Sequence, residues 1–258
     1  MKNRLLFHRK YGSSKNSVLI LHGLFGSSQN WHSVSKILAE NYSVYAIDLR
    51  NHGQSFHDNS HSVNDMADDI HNWIQHHKIS DPVLIGHSMG GLTAMKLALE
   101  HSSLIRGLVI ADIAPRSYVV DHQHEFKALL SDISICKTRK EIDHLLEKNV
   151  SDKFLRGFLM TNIIRENNQY LWKLNVNALY NSKKRAEFTI SDKQKFEKPA
   201  LFITAEISNY VTQNDHRLIQ KYFTNSKIIT IALANHYLHV SAKDEFISST
   251  CNFLESVF

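Results

Sequence analysis

Val83-Leu84-Ile85-Gly86-His87-Ser88-Met89-Gly90-Gly91-Leu92 decides the reading of this chain. Three apolar residues behind Pro82 read as a buried strand, and residues 92–99 read as a helix. Between them stands Gly-x-Ser-x-Gly, a turn too tight for side chains two residues either side of the serine. Strand, turn and helix together are the context of a nucleophile elbow, in which the serine hydroxyl stands clear of the sheet at a helix N-terminus. The competing reading is a glycine-rich helix start that holds a phosphate.

Outward from this stretch, apolar runs at 18–21, 44–47, 108–111, 200–203 and 228–231 read as further strands buried on both faces. Val63, Met66, Ala67, Ile70, Trp73 and Ile74 follow the spacing of an amphipathic helix, and 246–258 reads as another. Strands alternating with helices predict an α/β fold with a mostly parallel central sheet flanked by helices. From 116 to 198 the rhythm breaks. Only amphipathic pieces occur there, at 126–130, 142–150 and 170–180, so the stretch between Pro115 and Pro199 reads as a helical insertion. With 43% hydrophobic and 21% charged residues the chain is not a disordered protein, and no apolar run approaches the roughly 20 residues of a membrane helix. The N-terminal MKNRLLFHRKYG has too short an apolar stretch for a signal peptide.

The chain is sparing with glycine, nine residues in all, and six fall in three short motifs. One is Leu21-His22-Gly23-Leu24-Phe25-Gly26, directly after a predicted strand. Attack by a serine creates an oxyanion that needs two converging N–H donors. Met89, after the serine, offers one, and the turn at His22-Gly23 frees a second from Leu24 or Phe25.

These motifs resemble the α/β-hydrolase superfamily over nearly the whole chain. Asp48-Leu-Arg-Asn-His-Gly53-Gln-Ser55 is similar to that superfamily's Asp-x-Arg-x-x-Gly-x-Ser loop. Asp48 and Arg50 are read as a loop-holding ion pair rather than as catalytic groups. Arg-Asn-His-Gly, His-Gly-Leu-Phe-Gly-Ser and Val-Ile-Ala-Asp-Ile-Ala-Pro narrow the resemblance to the bacterial YbfF-type esterase and acyl-CoA thioesterase branch. It implies a core domain of residues 1–115 and 199–258 with a helical cap, 116–198, inserted after the sixth core strand.

The resemblance also implies the chain order serine, acid, histidine. Among 17 histidines, His236 stands where the family has its base, with His239 a neighbour. Asn235 replaces the usual preceding glycine and is expected to take a left-handed backbone there. In many members the acid follows the strand at 200–203, but Ser208 occupies that position. In the YbfF-type branch an aspartate after the preceding strand serves instead, which is Asp112 here. Glu206 and Asp215 are the alternatives.

The implied chemistry is ester or thioester cleavage of short to medium acyl groups, acyl-CoA included, by Ser88, His236 and Asp112, with Leu24 and Met89 at the oxyanion. Phe25, His87 and Tyr237 are candidate substrate contacts, and Phe126, Phe154, Phe158, Tyr170 and Trp172 are candidate linings of an acyl pocket. No metal or cofactor is called for. Alternatives are a carbon–carbon bond hydrolase or perhydrolase on the same triad, and a non-catalytic ligand-binding protein. The basic clusters 137–140 and 183–185 read as solvated faces or a docking patch for an anionic substrate. A net charge of +5 with scattered basic residues predicts no nucleic-acid partner, and two distant cysteines, Cys136 and Cys251, predict a reducing, cytoplasmic setting. Monomer and homodimer are equally compatible with the sequence.

Overall fold

The computed structural model describes residues 4–119, 121–182 and 187–258. Seven strands form one sheet: β1 (His8–Tyr11), β2 (Ser17–Leu21), β3 (Ser43–Ile47), β4 (Val83–His87), β5 (Gly107–Ala111), β8 (Ala200–Ile207) and β9 (Ser226–Asn235). Their order is β1-β3-β2-β4-β5-β8-β9. All neighbours run parallel except β1, which pairs antiparallel with β3. β2 to β5 are buried at every position, as their unbroken apolar runs require.

Two expectations change at the sheet edges. His-Arg-Lys-Tyr of β1 has no apolar run to betray it, because an edge strand keeps one side in water. β9 was read as buried on both faces but is the opposite edge, mostly half-buried or exposed, and extends to Asn235.

The sheet is sandwiched. α2 (Val63–His77) buries the six residues of its predicted stripe, and Ser62 caps it by accepting from the Asp65 N–H. α3 (Met89–Glu100) packs beside it in a cluster with β2, β3, β4 and β5. On the other face α1 (His32–Leu38) and α10 (Lys243–Val257) cover Val18, Val44, Val83 and Val109.

Between β5 and β8 lie α4 (Gln123–Leu129), α5 (Arg139–Glu147), α6 (Lys153–Met160), a hairpin of β6 (Ile163–Glu166) and β7 (Gln169–Trp172), and α7 (Val176–Ser182). The insertion follows β5, the fifth described strand in chain order, where a sixth was expected. Among the described residues one short strand, β1, precedes β2. The hairpin is also a departure: Tyr170 starts no helix, because Asn167 and Asn168 at positive φ turn the chain back on itself. The insertion has its own apolar cluster around Phe126, Ile142, Leu146 and Leu159, into which Phe25 reaches from the sheet side. Asn162 Nδ2 donates to Phe25 O at 2.7 Å and helps hold the two parts together. Phe188 and Phe196 pack with the sheet cluster instead. Lys137 to Lys140 flank the start of α5, where Thr138 accepts from the Glu141 N–H. The cluster 183–185 lies outside the described residues.

Candidate active site

Ser88 stands between β4 and α3 with φ 50° and ψ −117°, a conformation that costs a non-glycine residue energy. The glycines around it permit the turn: a Cβ on Gly86 would lie 2.5 Å from Gly90 O, and one on Gly90 would run into the Leu21 and His22 carbonyl oxygens. The Ser88 N–H donates to Ala111 O at 3.1 Å, tying the elbow to β5.

The His22-Gly23 loop abuts this elbow so closely that a Cβ on Gly23 would be 2.7 Å from His87 Nδ1 and 3.3 Å from Ser88 Cβ. Two buried histidines brace it. His22 donates from Nδ1 to Gly23 O and accepts the Leu49 N–H at Nε2 (3.0 Å). His52 donates from Nδ1 to Arg50 O and accepts the Phe25 N–H at Nε2 (3.3 Å). Burial drives their pKa values down to about 4 and about 3, so each is neutral and able to accept. Phe25 is thereby engaged, whereas Leu24 and Met89 donate no backbone hydrogen bond among the described residues. Nothing in the residue pattern marked His52 for this task beyond its presence in Arg-Asn-His-Gly.

Asp48 and Arg50 are not an ion pair with each other. Asp48 accepts the Ser28 and Gln54 N–H groups at 2.6 and 2.8 Å. Arg50 makes a two-pronged contact with Asp69 on α2, at 2.6 and 2.9 Å. The carboxylate is consumed by the turn it braces, which leaves the guanidinium to the helix.

His236 follows β9, and its Nδ1 lies 2.8 Å from Asp112 Oδ2. Asp112 is 1% exposed and itself has φ 48°. Its Oδ1 accepts the Ala205 N–H at 3.1 Å, and Ser208 donates its hydroxyl to Oδ2. An ionised aspartate only accepts, so the His236 proton sits on Nδ1 and Nε2 carries the lone pair. Tyr210 stacks on the imidazole at 3.7 Å and 13°. Glu206 accepts the Leu233 N–H, and Asp215 pairs with Arg116 at 2.8 Å while capping α8 (Gln213–Tyr222). The positive φ in this stretch belongs to Leu233 (φ 56°), inside β9, and not to Asn235. Asn235 accepts the Tyr237 N–H on its side chain, a turn that needs no positive φ.

Three cavities meet here. One of about 90 Å³ is lined mainly by apolar side chains, including Leu24, Met66, Leu92 and Phe126, with Ser88 at its edge. A wider cleft of about 570 Å³ carries His236, Ser208 and Tyr237. A narrow space shared by Ser88 and His236 joins them, lined also by Phe25, His87 and Tyr237. Of the five aromatics read as pocket linings, Phe126 faces the apolar cavity. Phe154 lines the wider cleft and Phe158 a neighbouring hollow, and Tyr170 and Trp172 pack against the insertion's own cluster. Tyr118 and Tyr210 line the apolar cavity instead, although no spacing rule linked them to it. Among the described residues no group of three His, Cys, Asp or Glu is arranged to hold a metal ion, and no helix is long and apolar enough to cross a membrane.

A seven-stranded sheet with a strained serine between glycines, lining one space with a histidine paired with an aspartate, is the architecture of a hydrolase. The chain belongs to the alpha/beta hydrolase fold family, which matches residues 16–243. It is 34% identical over 249 residues to "sn-1-specific diacylglycerol lipase ABHD11" of Danio rerio, covering 92% of this chain and 78% of that one. It is 27% identical to "Esterase YbfF" of Escherichia coli, covering 93% and 94%. A solved structure titled "Marine microorganism esterase" superposes with a TM-score of 0.93 at 38% identity, covering 96% of this chain and 99% of that one. The chain is a hydrolase of the family's esterase branch.

Proposed function

We propose that this enzyme cleaves carboxylic ester or thioester bonds of short acyl chains through an acyl-enzyme on Ser88. The observation that carries the reading is the 2.8 Å contact of His236 Nδ1 with the buried Asp112, in a space that Ser88 also lines. His236 Nε2 takes the serine proton as Oγ attacks the carbonyl, and Asp112 stabilises the imidazolium that forms. The Leu24 and Met89 N–H groups receive the oxyanion. His236 returns the proton to the leaving alcohol or thiol, then activates water against the acyl-enzyme. Phe25, His87 and Tyr237 line the space where the scissile bond would lie.

Residues 116–198 act as a cap that selects the substrate, with Tyr118, Phe126 and Leu179 among its contributions to the acyl cavity. An apolar cavity of about 150 Å³ admits benzene, so one of about 90 Å³ suits an acyl chain of about four carbons. Free Cys136 and Cys251 support a reducing, cytoplasmic setting.

The test is acyl release from p-nitrophenyl esters of increasing chain length, with wild type and Ser88→Ala compared. Turnover should peak near butyrate and fall by a factor on the order of 10⁴ in the variant. Equal rates in the two proteins would refute the serine mechanism.

A further inference from the structure

The space shared by Ser88 and His236 contains an ionisable side chain that the reaction above does not use. Glu125, on α4, lines it with 16% of its side chain exposed. His122 Nδ1 lies 3.4 Å from Oε1, which occupies one of the roughly four acceptor positions of a carboxylate. Burial pushes the Glu125 carboxyl up, but hydrogen bonds from His122 and its own backbone outweigh this and hold it below the usual range. It is therefore an anion at neutral pH.

Its position relative to the two sides of Ser88 gives this charge a meaning. Glu125 and His236 share the narrow space, and neither lines the apolar cavity. Because His236 hands its proton to the leaving group, that group leaves on the Glu125 side. Farther out, the wide cleft carries Asp121 and Asp152, and its arginine, Arg116, is already paired with Asp215. The acyl side is apolar and the leaving-group side is acidic.

We propose that Glu125 is a specificity-determining residue that favours esters of cationic or neutral hydroxylated alcohols and rejects anionic leaving groups, coenzyme A included. The proposal rests on the serine-hydrolase reading and narrows its thioester branch. A hydroxyl beside the scissile oxygen finds an acceptor in Glu125, whereas an anion meets a like charge that solvent screens only in part. The chain as a whole carries +5, which steers anions toward it over long range. Rejection of anions must then be local.

The experiment compares three butyrate esters by pH-stat: 1-butyrylglycerol, butyrylcholine and the butyryl ester of 3-hydroxypropanoate. Wild-type kcat/KM should be about tenfold higher for the first two, as for like charges a few ångström apart at an effective dielectric of about 20 with some solvent screening. Glu125→Gln should raise the anionic ester and remove most of the gap. In wild type, raising ionic strength from about 0.01 M to about 1 M should also narrow it, since the Debye length falls from about 30 to about 3 Å. An anionic ester cleaved as well as the others, or a gap retained in Glu125→Gln, overturns the proposal. If that variant does not fold, the salt series decides, and a gap unchanged by salt overturns it. p-Nitrophenyl butyrate separates the two levels. Its turnover without any charge ranking refutes Glu125 alone, whereas no turnover refutes the hydrolase reading and this proposal together.

Discussion

Two turns in this molecule hold a non-glycine residue at almost the same left-handed φ, 50° at Ser88 and 48° at Asp112. They are held there by different means. The Ser88 turn is framed by Gly86, Gly90 and Gly91, so the strain is accommodated within six residues of chain. The Asp112 turn has no glycine. Its N–H donates to Ile203 O at 2.8 Å, and its carboxylate gathers Ala205, Ser208 and His236 from the far side of the insertion. A locally framed turn is visible in sequence, whereas a remotely held one is visible only once the sheet is assembled.

The largest effect that would test this difference is at the remote turn. Asp112→Asn keeps the side-chain shape but favours the wrong histidine tautomer, and should lower kcat by a factor on the order of 10⁴. Steady-state kinetics on p-nitrophenyl butyrate, with circular dichroism to check the fold, reads it. A loss below tenfold would mean that the histidine is oriented by other groups.

The local turn should break structurally. Gly90→Ala drives a methyl into the Leu21 and His22 carbonyls, which can yield only by moving β2. The expected loss is about 3 kcal/mol of stability, seen in urea denaturation, with activity falling alongside. Wild-type stability in that variant would show that the glycine frame is dispensable.

The smallest effect lies in the seam between the turns, where His87 and His239 pack at 4.8 Å. His239 stacks on Trp31 at 4.3 Å, its Nδ1 has no hydrogen-bond partner among the described residues, and burial holds its pKa at about 3. Burial likewise holds His61 at about 3. As pH falls below 6.5 the unfolded chain takes up protons that these folded sites refuse. Stability present above pH 6.5 is therefore lost progressively as pH falls toward 3. One such group accounts for about 2 kcal/mol of loss by pH 5. His239→Phe should flatten the decline between pH 6.5 and 5 by about that amount, measured by urea midpoints. Parallel curves would assign the acid sensitivity elsewhere.

Legibility followed the same division. The inner strands, α2 with all six of its buried positions, and the elbow were readable because burial on both faces and helical periodicity leave marks on neighbouring residues. β1 and the exposed face of β9 were not, since edge strands carry polar residues that look like loop. At the candidate site, the placement of Ser88 on the elbow and of His236 after β9 was readable from motif and order. Which of the candidate aromatics line a cavity was not readable, because a side chain in an amphipathic piece faces its own cluster or a cavity according to how the piece is docked.

The amino-acid sequence by itself determined where the chain can turn sharply, which runs must be buried, and that a serine stands on the sharpest turn. Those are matters of steric fit and apolar burial among residues a few positions apart. The tertiary structure decided which carboxylate meets His236, across 124 residues of chain. It also decided which N–H beside Gly23 is left without a partner among the described residues, through His52 some 27 residues away, and that an acidic side chain of the insertion lines the same space as the serine. Hydrogen-bond pairing and local charge depend on separations of a few ångström between remote segments, and only a packed chain sets those.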